Sequence, residues 1–193
     1  MGLQNYFKNN IYANRGMTLE DDINKTNEYY NLQNIALVYK KPTPIQVVQV
    51  EYPKNRIREA YFHEPSTLDY NGIYLGKYLE FDAKETQSKT SFPLSNIHPH
   101  QMRHIERVIH FGGIAFLIVR FSTLNLTYLL LGEDIIHFES RYHRKSIPLD
   151  YFKEHGYLIE LKYSPRLDYI KIVDKLIREV KKWKKRRKSM WTR

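Results

Sequence analysis

Asp82 and Lys84 stand two residues apart in a stretch of alternating polar and apolar residues, so a strand would project both side chains from one face. Asp69 lies thirteen residues upstream, just before Asn71-Gly72, a dipeptide that reads as a turn. A hairpin there would bring Asp69 towards Asp82. Two carboxylates a few ångströms apart repel, and a divalent cation relieves the repulsion. Mg²⁺ favours one or two carboxylates, several waters and a substrate phosphate oxygen. A nearby lysine stabilises charge building on phosphorus oxygens, or orients a metal-bound water. Together these residues are a recipe for hydrolysing a phosphodiester. On spacing alone, a surface strand carrying a salt-bridged Asp–Lys pair explains the pattern better.

The elements that must position these residues are partly readable. Residues 73–85 read as one strand, with Ile73, Leu75, Leu79, Phe81 and Ala83 on one face and Tyr74, Tyr78, Glu80, Asp82 and Lys84 on the other. A helix follows near Pro99, with Met102, Ile105, Val108 and Ile109 as its apolar stripe and Gly112-Gly113 at its end. Pro99 suits the first helical position, which puts Gln101 in the first turn, near the positive helix end that suits phosphate. By itself Gln101 reads as an ordinary exposed polar residue. Upstream, Thr18 followed by Asp21 is a capping-box pattern, and Leu19, Ile23, Thr26 and Tyr30 predict a helix over 18–31.

Ile35 to Tyr39 reads as a strand that Pro42 and Pro44 must break. Ile45 to Val50 and Ile57 to Phe62 then read as a two-stranded excursion within residues 42–65, turning at Tyr52 to Arg56. Ile114 to Val119 and Tyr128 to Leu131 are apolar runs typical of buried strands. Pro165 opens a last helix carrying Leu167, Ile170, Val173, Leu176, Ile177 and Val180. This order predicts an α/β or α+β sheet with covered faces.

Composition bounds the function. At 193 residues and 42% hydrophobic, the chain can bury a real core as one domain. The absence of cysteine excludes disulfide scaffolds, thiolate zinc sites and cysteine nucleophiles. No apolar run is long enough to span a bilayer, and Met1 to Arg15 is too polar for a secretory signal, so a soluble cytoplasmic protein is expected. The net charge is +10, but residues 181–193 hold eight basic residues and no acids. Without them, 23 basic residues face 21 acidic ones, so the charge describes a tail on a nearly balanced body. His100 and His104 are four apart with His98 before them, but no third ligand is evident, and solvated or phosphate-facing histidines are expected rather than zinc.

Longer words sharpen the reading. Thr67 to Gly72, Phe81 to Thr86 and Lys89 to Asn96 closely resemble the RecU family of Holliday junction resolvases. So do Arg15 to Glu20, Lys41 to Ile45, Arg120 to Leu124 and Pro165 to Tyr169, so that the resemblance runs from about residue 15 to 175. It implies a restriction-endonuclease-like fold of the α/β class: a mixed central sheet flanked by helices, with a projecting two-stranded stalk at about 42–65. It implies an arm over 1–15, one nuclease domain over 16–180 and a basic tail over 181–193. It also implies a homodimer that cuts four-way DNA junctions with Mg²⁺ by paired symmetric nicks during recombination and repair, and contact with a RecA-type recombinase and a branch-migration helicase. Matched residue by residue, the family's metal positions fall on Thr67, Asp69, Asp82 and Gln101, with Lys84 as transition-state stabiliser. Many members carry Glu where this chain has Asp82, one methylene shorter, which leaves open whether Mg²⁺ or Mn²⁺ serves better.

In that light Lys41, Lys54, Arg56 and Arg58 suit converging phosphates, and Tyr52, Tyr61 and Phe62 suit unstacked bases at a junction centre. For Tyr61 and Phe62, packing into the core is an equal alternative. Lys181, Lys182, Lys184, Lys185, Arg186, Arg187 and Lys188 read as a phosphate-tracking arm, with a solvated basic end as the plainer reading. Arg15 and Lys8 form a second basic group. Two other functions share these features: a restriction-type duplex endonuclease, and a recombination mediator that binds DNA with an idle metal site.

Overall fold

A computed structural model describes residues 18–62 and 67–179. Expectations about Lys8 and Arg15, about residues 63–65 at the end of the excursion, and about the basic tail fall outside the described residues. Helix α1, Leu19–Leu32, starts where the capping box predicts: the Thr18 hydroxyl accepts from the Asp21 N–H at 3.2 Å, and the Asp21 carboxylate accepts from the Thr18 N–H at 3.2 Å. Strands β1 (Leu37–Lys40), β2 (Ile45–Glu51), β3 (Arg56–Phe62), β4 (Tyr70–Tyr74), β5 (Lys77–Thr86) and β6 (Ser91–Pro93) follow. Then come helix α2 (Pro99–His110), strands β7 (Ile114–Phe121) and β8 (Leu126–Leu131), helix α3 (Gly132–Tyr142), strand β9 (Ser146–Pro148), helix α4 (Leu149–His155) and strand β10 (Tyr157–Leu158). A further helix, α5, occupies 170–179.

Six strands form one sheet in the order β1-β4-β5-β7-β8-β10, antiparallel throughout except for the parallel pair β5 and β7. The parallel step needs a crossover, and α2 supplies it. Along β7 the side chains divide between two cores. Ala115, Leu117, Val119 and Phe121 join Met102, Ile105, Phe138 and Phe152, whereas Phe116 and Ile118 join Ile23, Tyr30, Phe81, Tyr169 and Val173. The sheet is thus covered on both faces, the restriction-endonuclease-like mixed arrangement expected. The continuous apolar run of β7 is the mark of that double burial. Asp22 of α1 sits between Arg120 of β7 at 2.5 Å and Arg166 at 2.6 Å, so three distant sequence words meet in one buried network.

Three expectations need correction. The strand predicted over 73–85 is a hairpin: β4 and β5 join through Leu75 and Gly76, both at positive φ, with Tyr74 paired to Lys77. Asn71-Gly72 is not a turn but lies mid-strand in β4. Its glycine is there for space, since a Cβ at Gly72 would lie 2.2 Å from the Leu37 carbonyl oxygen. The last helix begins at residue 170 rather than at Pro165, because Leu167 is held in a bridge to Leu161 and residues 163–166 bend. Finally, α3, α4, β9 and β10 had no announcement in sequence. Helix α3 opens on Gly132 with no side-chain cap, and α4 is only seven residues long.

The excursion is present as its own two-stranded sheet of β2 and β3. β2 is exposed from Ile45 to Val50, so this ribbon stands away from both cores. No helix among the described residues is long and apolar enough to cross a membrane.

Candidate active site

The misplaced turn decides whether the two acids meet. A turn at residues 71–72 would set Asp69 against Tyr74. The actual turn pairs Tyr70 with Phe81, and one step further along the same register Asp69 faces Asp82. On the opposite face of the sheet, Tyr70, Phe81 and Phe116 stack across β4, β5 and β7 with ring centroids 4.9 and 4.6 Å apart. That ladder fixes the strands directly behind the acids.

Asp82 is fully buried. Its Oδ2 lies 2.9 Å from Lys84 Nζ and accepts a hydrogen bond from Gln101 Nε2 at 2.7 Å. Burial pushes the Asp82 carboxyl up to about 6; the Lys84 charge opposes this, and the contact with Asp69 adds to it. A buried acid pressed against a second acid on a central strand is not the solvated Asp–Lys pair that spacing alone favoured.

Gln101 is 5% exposed, so the surface reading of this residue is wrong. Pro99 opens α2 as expected and places Gln101 in the first turn. There its amide oxygen accepts from the His98 N–H at 3.1 Å, and its nitrogen also donates to the Thr67 carbonyl at 3.0 Å. Thr67 meets the site through that carbonyl. Its hydroxyl instead accepts from Lys41 Nζ at 2.5 Å and donates to Glu80 Oε1 at 3.2 Å.

Glu80 is the residue that sequence reasoning passed over. It is 1% exposed, two positions before Asp82 on the same face of β5. Lys41 pairs with its Oε1, while Tyr78 donates to Oε2 at 2.9 Å and His104 Nε2 lies 2.8 Å from Oε2. Burial works against the Glu80 charge, but Lys41 and His104 outweigh it and hold the carboxyl below its ordinary range. The alternating pattern had put Glu80 on the polar face, where one more acid reads as solvated. A cleft of about 560 Å³ opens beside this cluster, lined by Thr67, His104, Arg107 and Phe111 among others.

The histidines do not converge. His104 serves Glu80, and His98 stacks on His100 with centroids 5.4 Å apart. On the ribbon, Arg56 and Arg58 are exposed and Tyr61 is 54% exposed, which removes core packing for Tyr61. Lys54 is exposed and pairs with Glu51 at 2.8 Å, and Tyr52 is 81% exposed. Phe62 ends β3.

The donor set at Asp69 and Asp82 is two carboxylates amid neutral amide and carbonyl groups, with no sulfur. Among the described residues no three His, Asp or Glu side chains gather to hold a metal. A buried acid set against a half-buried one fits a hard divalent cation such as Mg²⁺, which would relieve their repulsion and take its remaining ligands from water and phosphate oxygens.

Comparison with known proteins gives the family. The family model "Recombination protein U" matches residues 14–175. A protein of Geobacillus thermodenitrificans named Holliday junction resolvase RecU is 56% identical over 174 residues, 86% of this chain and 85% of its own length. Its namesake in Geobacillus kaustophilus is 56% identical over 169 residues, 84% of each chain. Another of the same name in Bacillus thuringiensis is 51% identical over 173 residues, 86% of each. The match covers α1, the ribbon, both acids, Lys84, Gln101 and nearly all of the double-sided core, and on that footing the chain belongs to the RecU family.

Proposed function

We propose that this chain is a structure-selective endonuclease that resolves four-way DNA junctions by metal-dependent hydrolysis, working as a homodimer that places paired nicks. The observation that carries the reading is the convergence of Asp69, Asp82 and Lys84 on one face, with Gln101 donating to Asp82. Asp69 and Asp82 would hold Mg²⁺, with Mn²⁺ as a substitute, and Gln101 and Thr67 would complete the surroundings. Bound there, the cation would supply Lewis-acid polarisation of a phosphate oxygen and an acidified water. Lys84 keeps its ammonium 2.9 Å from the Asp82 carboxylate, where it also compensates negative charge gathering on a phosphoryl group. Gln101 fixes the Asp82 rotamer by holding Oδ2, and the apolar ladder behind keeps both acids from drifting apart.

The deciding experiment is single-turnover nicking of mobile four-way junctions and of matched linear duplex, with and without Mg²⁺. Metal-dependent nicking of the junction in strong preference to duplex is expected. Equal cutting of duplex would indicate the restriction-type reading. Junction binding with no cutting under any divalent metal would indicate a mediator with an idle site.

A further inference from the structure

The β2–β3 ribbon leaves the body at Lys41 and returns at Thr67, and Asp69 follows two residues later. These two roots touch. The Lys41 N–H donates to the Asp69 carbonyl at 2.7 Å, and Lys41 Nζ lies 2.5 Å from the Thr67 hydroxyl. Both Lys41 Nζ and the Thr67 hydroxyl are held by the same carboxylate oxygen of Glu80, while His104 Nε2, on the helix that carries Gln101, lies 2.8 Å from the other oxygen. One buried side chain therefore ties together the outgoing root, the returning root and α2, and it lies two residues before Asp82, as Thr67 lies two before Asp69. We propose that Glu80 is a positioning residue for cleavage: it clasps the two roots of the ribbon onto β5 so that DNA held by the ribbon is in register with Asp69, Asp82 and Lys84.

Geometry favours this over a purely stabilising ion pair. A buried pair used only for stability has no need to reach three separate segments. Here Lys41 and Thr67 are the roots of the ribbon, His104 lies on the helix that carries Gln101, and Tyr78 shares β5 with Asp82. With the clasp open, the ribbon would still stand and still meet DNA. Asp69 would lose the Lys41 side-chain anchor beside it, and Thr67 would be free to turn.

The inference rests on the endonuclease reading, and its test separates the two. Lys41→Met alone strands the Glu80 charge in the interior and is expected to destabilise the fold, so it cannot decide the question. Glu80→Gln alone would leave the Lys41 ammonium without its carboxylate, whereas the double variant Glu80→Gln/Lys41→Met removes both charges, and a buried pair replaced as a unit leaves stability near that of the parent. Three quantities would be measured on the full chain: the thermal midpoint, the affinity for a four-way junction in Ca²⁺, and the single-turnover cleavage rate at saturating junction. Mn²⁺ binding to the DNA-free protein would be followed by electron paramagnetic resonance. For the double variant, an unchanged midpoint and junction affinity are expected, with a cleavage rate lower by about ten- to a hundredfold and weaker Mn²⁺ binding, the usual cost of losing a residue that orients metal ligands. Glu80→Asp, which keeps the charge, should recover part of the rate.

A double variant that keeps its stability and cleaves at the parental rate would overturn the proposal. Loss of rate that tracks loss of thermal midpoint would also overturn it, since that is what a structural pair does. A parent protein that cuts nothing would instead defeat the endonuclease reading itself.

Discussion

Asp82 carries two conflicting demands: burial opposes its charge, and the proposed cation binding would require it. Without a cation the conflict costs stability. An unfolded Asp titrates near 4, and the folded Asp82 near 6, so between those values the folded state keeps a proton the unfolded chain has lost. The contribution of Asp82 is therefore intact below about pH 4 and lost as pH rises through about 6, on the order of 3 kcal/mol in all. Urea denaturation in EDTA from pH 4 to 7 should show this loss in the parent, and Asp82→Asn should lack it. At pH 7, Mg²⁺ should restore stability to the parent and not to Asp82→Asn. Cleavage gives a sharper readout. Asp69→Ala, Asp82→Ala and Lys84→Ala should each reduce nicking by at least about a hundredfold while junction affinity, measured by gel shift, persists. Neither carboxylate attracts a polyanion, so its removal does not weaken DNA binding. Full cleavage by Lys84→Ala would remove the assigned role.

On the proposed function, the ribbon is the element that would select shape. A metal site hydrolyses whatever phosphodiester reaches it and cannot tell a junction from a duplex. β2 and β3 pair only with each other, leaving Arg56, Arg58, Tyr52 and Tyr61 exposed. Replacing residues 45–60 by a tight turn should leave the body folded, because both cores lie outside it. Duplex binding should survive. The preference for four-way junctions, taken as the ratio of dissociation constants, should fall towards unity, and coordinated nicking should fail. Undiminished selectivity in the shortened protein would move shape reading to the body surface.

At the scale of the whole molecule, the proposed function makes charge and symmetry govern the encounter with DNA. The proposed two-fold dimer would present two active sites to a roughly two-fold junction. The eight basic residues of 181–193, with no acid among them, would add attraction that ignores sequence and shape. Each phosphate contact adds roughly 0.9 to the slope of log affinity against log salt on duplex DNA. Deleting 181–193 should reduce that slope by several such steps, weaken all DNA substrates alike and leave the single-turnover rate unchanged. Both tryptophans of the chain, Trp183 and Trp191, lie in this segment, so tryptophan fluorescence should change on saturation with DNA. An unchanged slope after the deletion, together with unchanged fluorescence, would rule out the arm.

The sequence by itself determined the parts whose physics is local. The capping box at Thr18 started α1, Pro99 started α2 and put Gln101 in its first turn, and the prolines at 42 and 44 detached the ribbon. Alternation along residues 78–84 put Asp82 and Lys84 on one face, because a strand's period of two is a property of the backbone alone. The long resembling words carried the family. Only the tertiary structure decided the rest. Leu75-Gly76 turned the chain where Asn71-Gly72 promised to, since pairing β4 with β1 brings the Leu37 carbonyl too close to position 72 for any Cβ and keeps that glycine in the strand. That four-residue difference in the turn is what sets Asp69 opposite Asp82. Glu80 could not be singled out from its neighbours, because whether a strand acid is solvated or clasped depends on Lys41, Thr67 and His104, which come from three other segments of the chain. A side chain's burial and partners are properties of the packed molecule, and no window of sequence contains them.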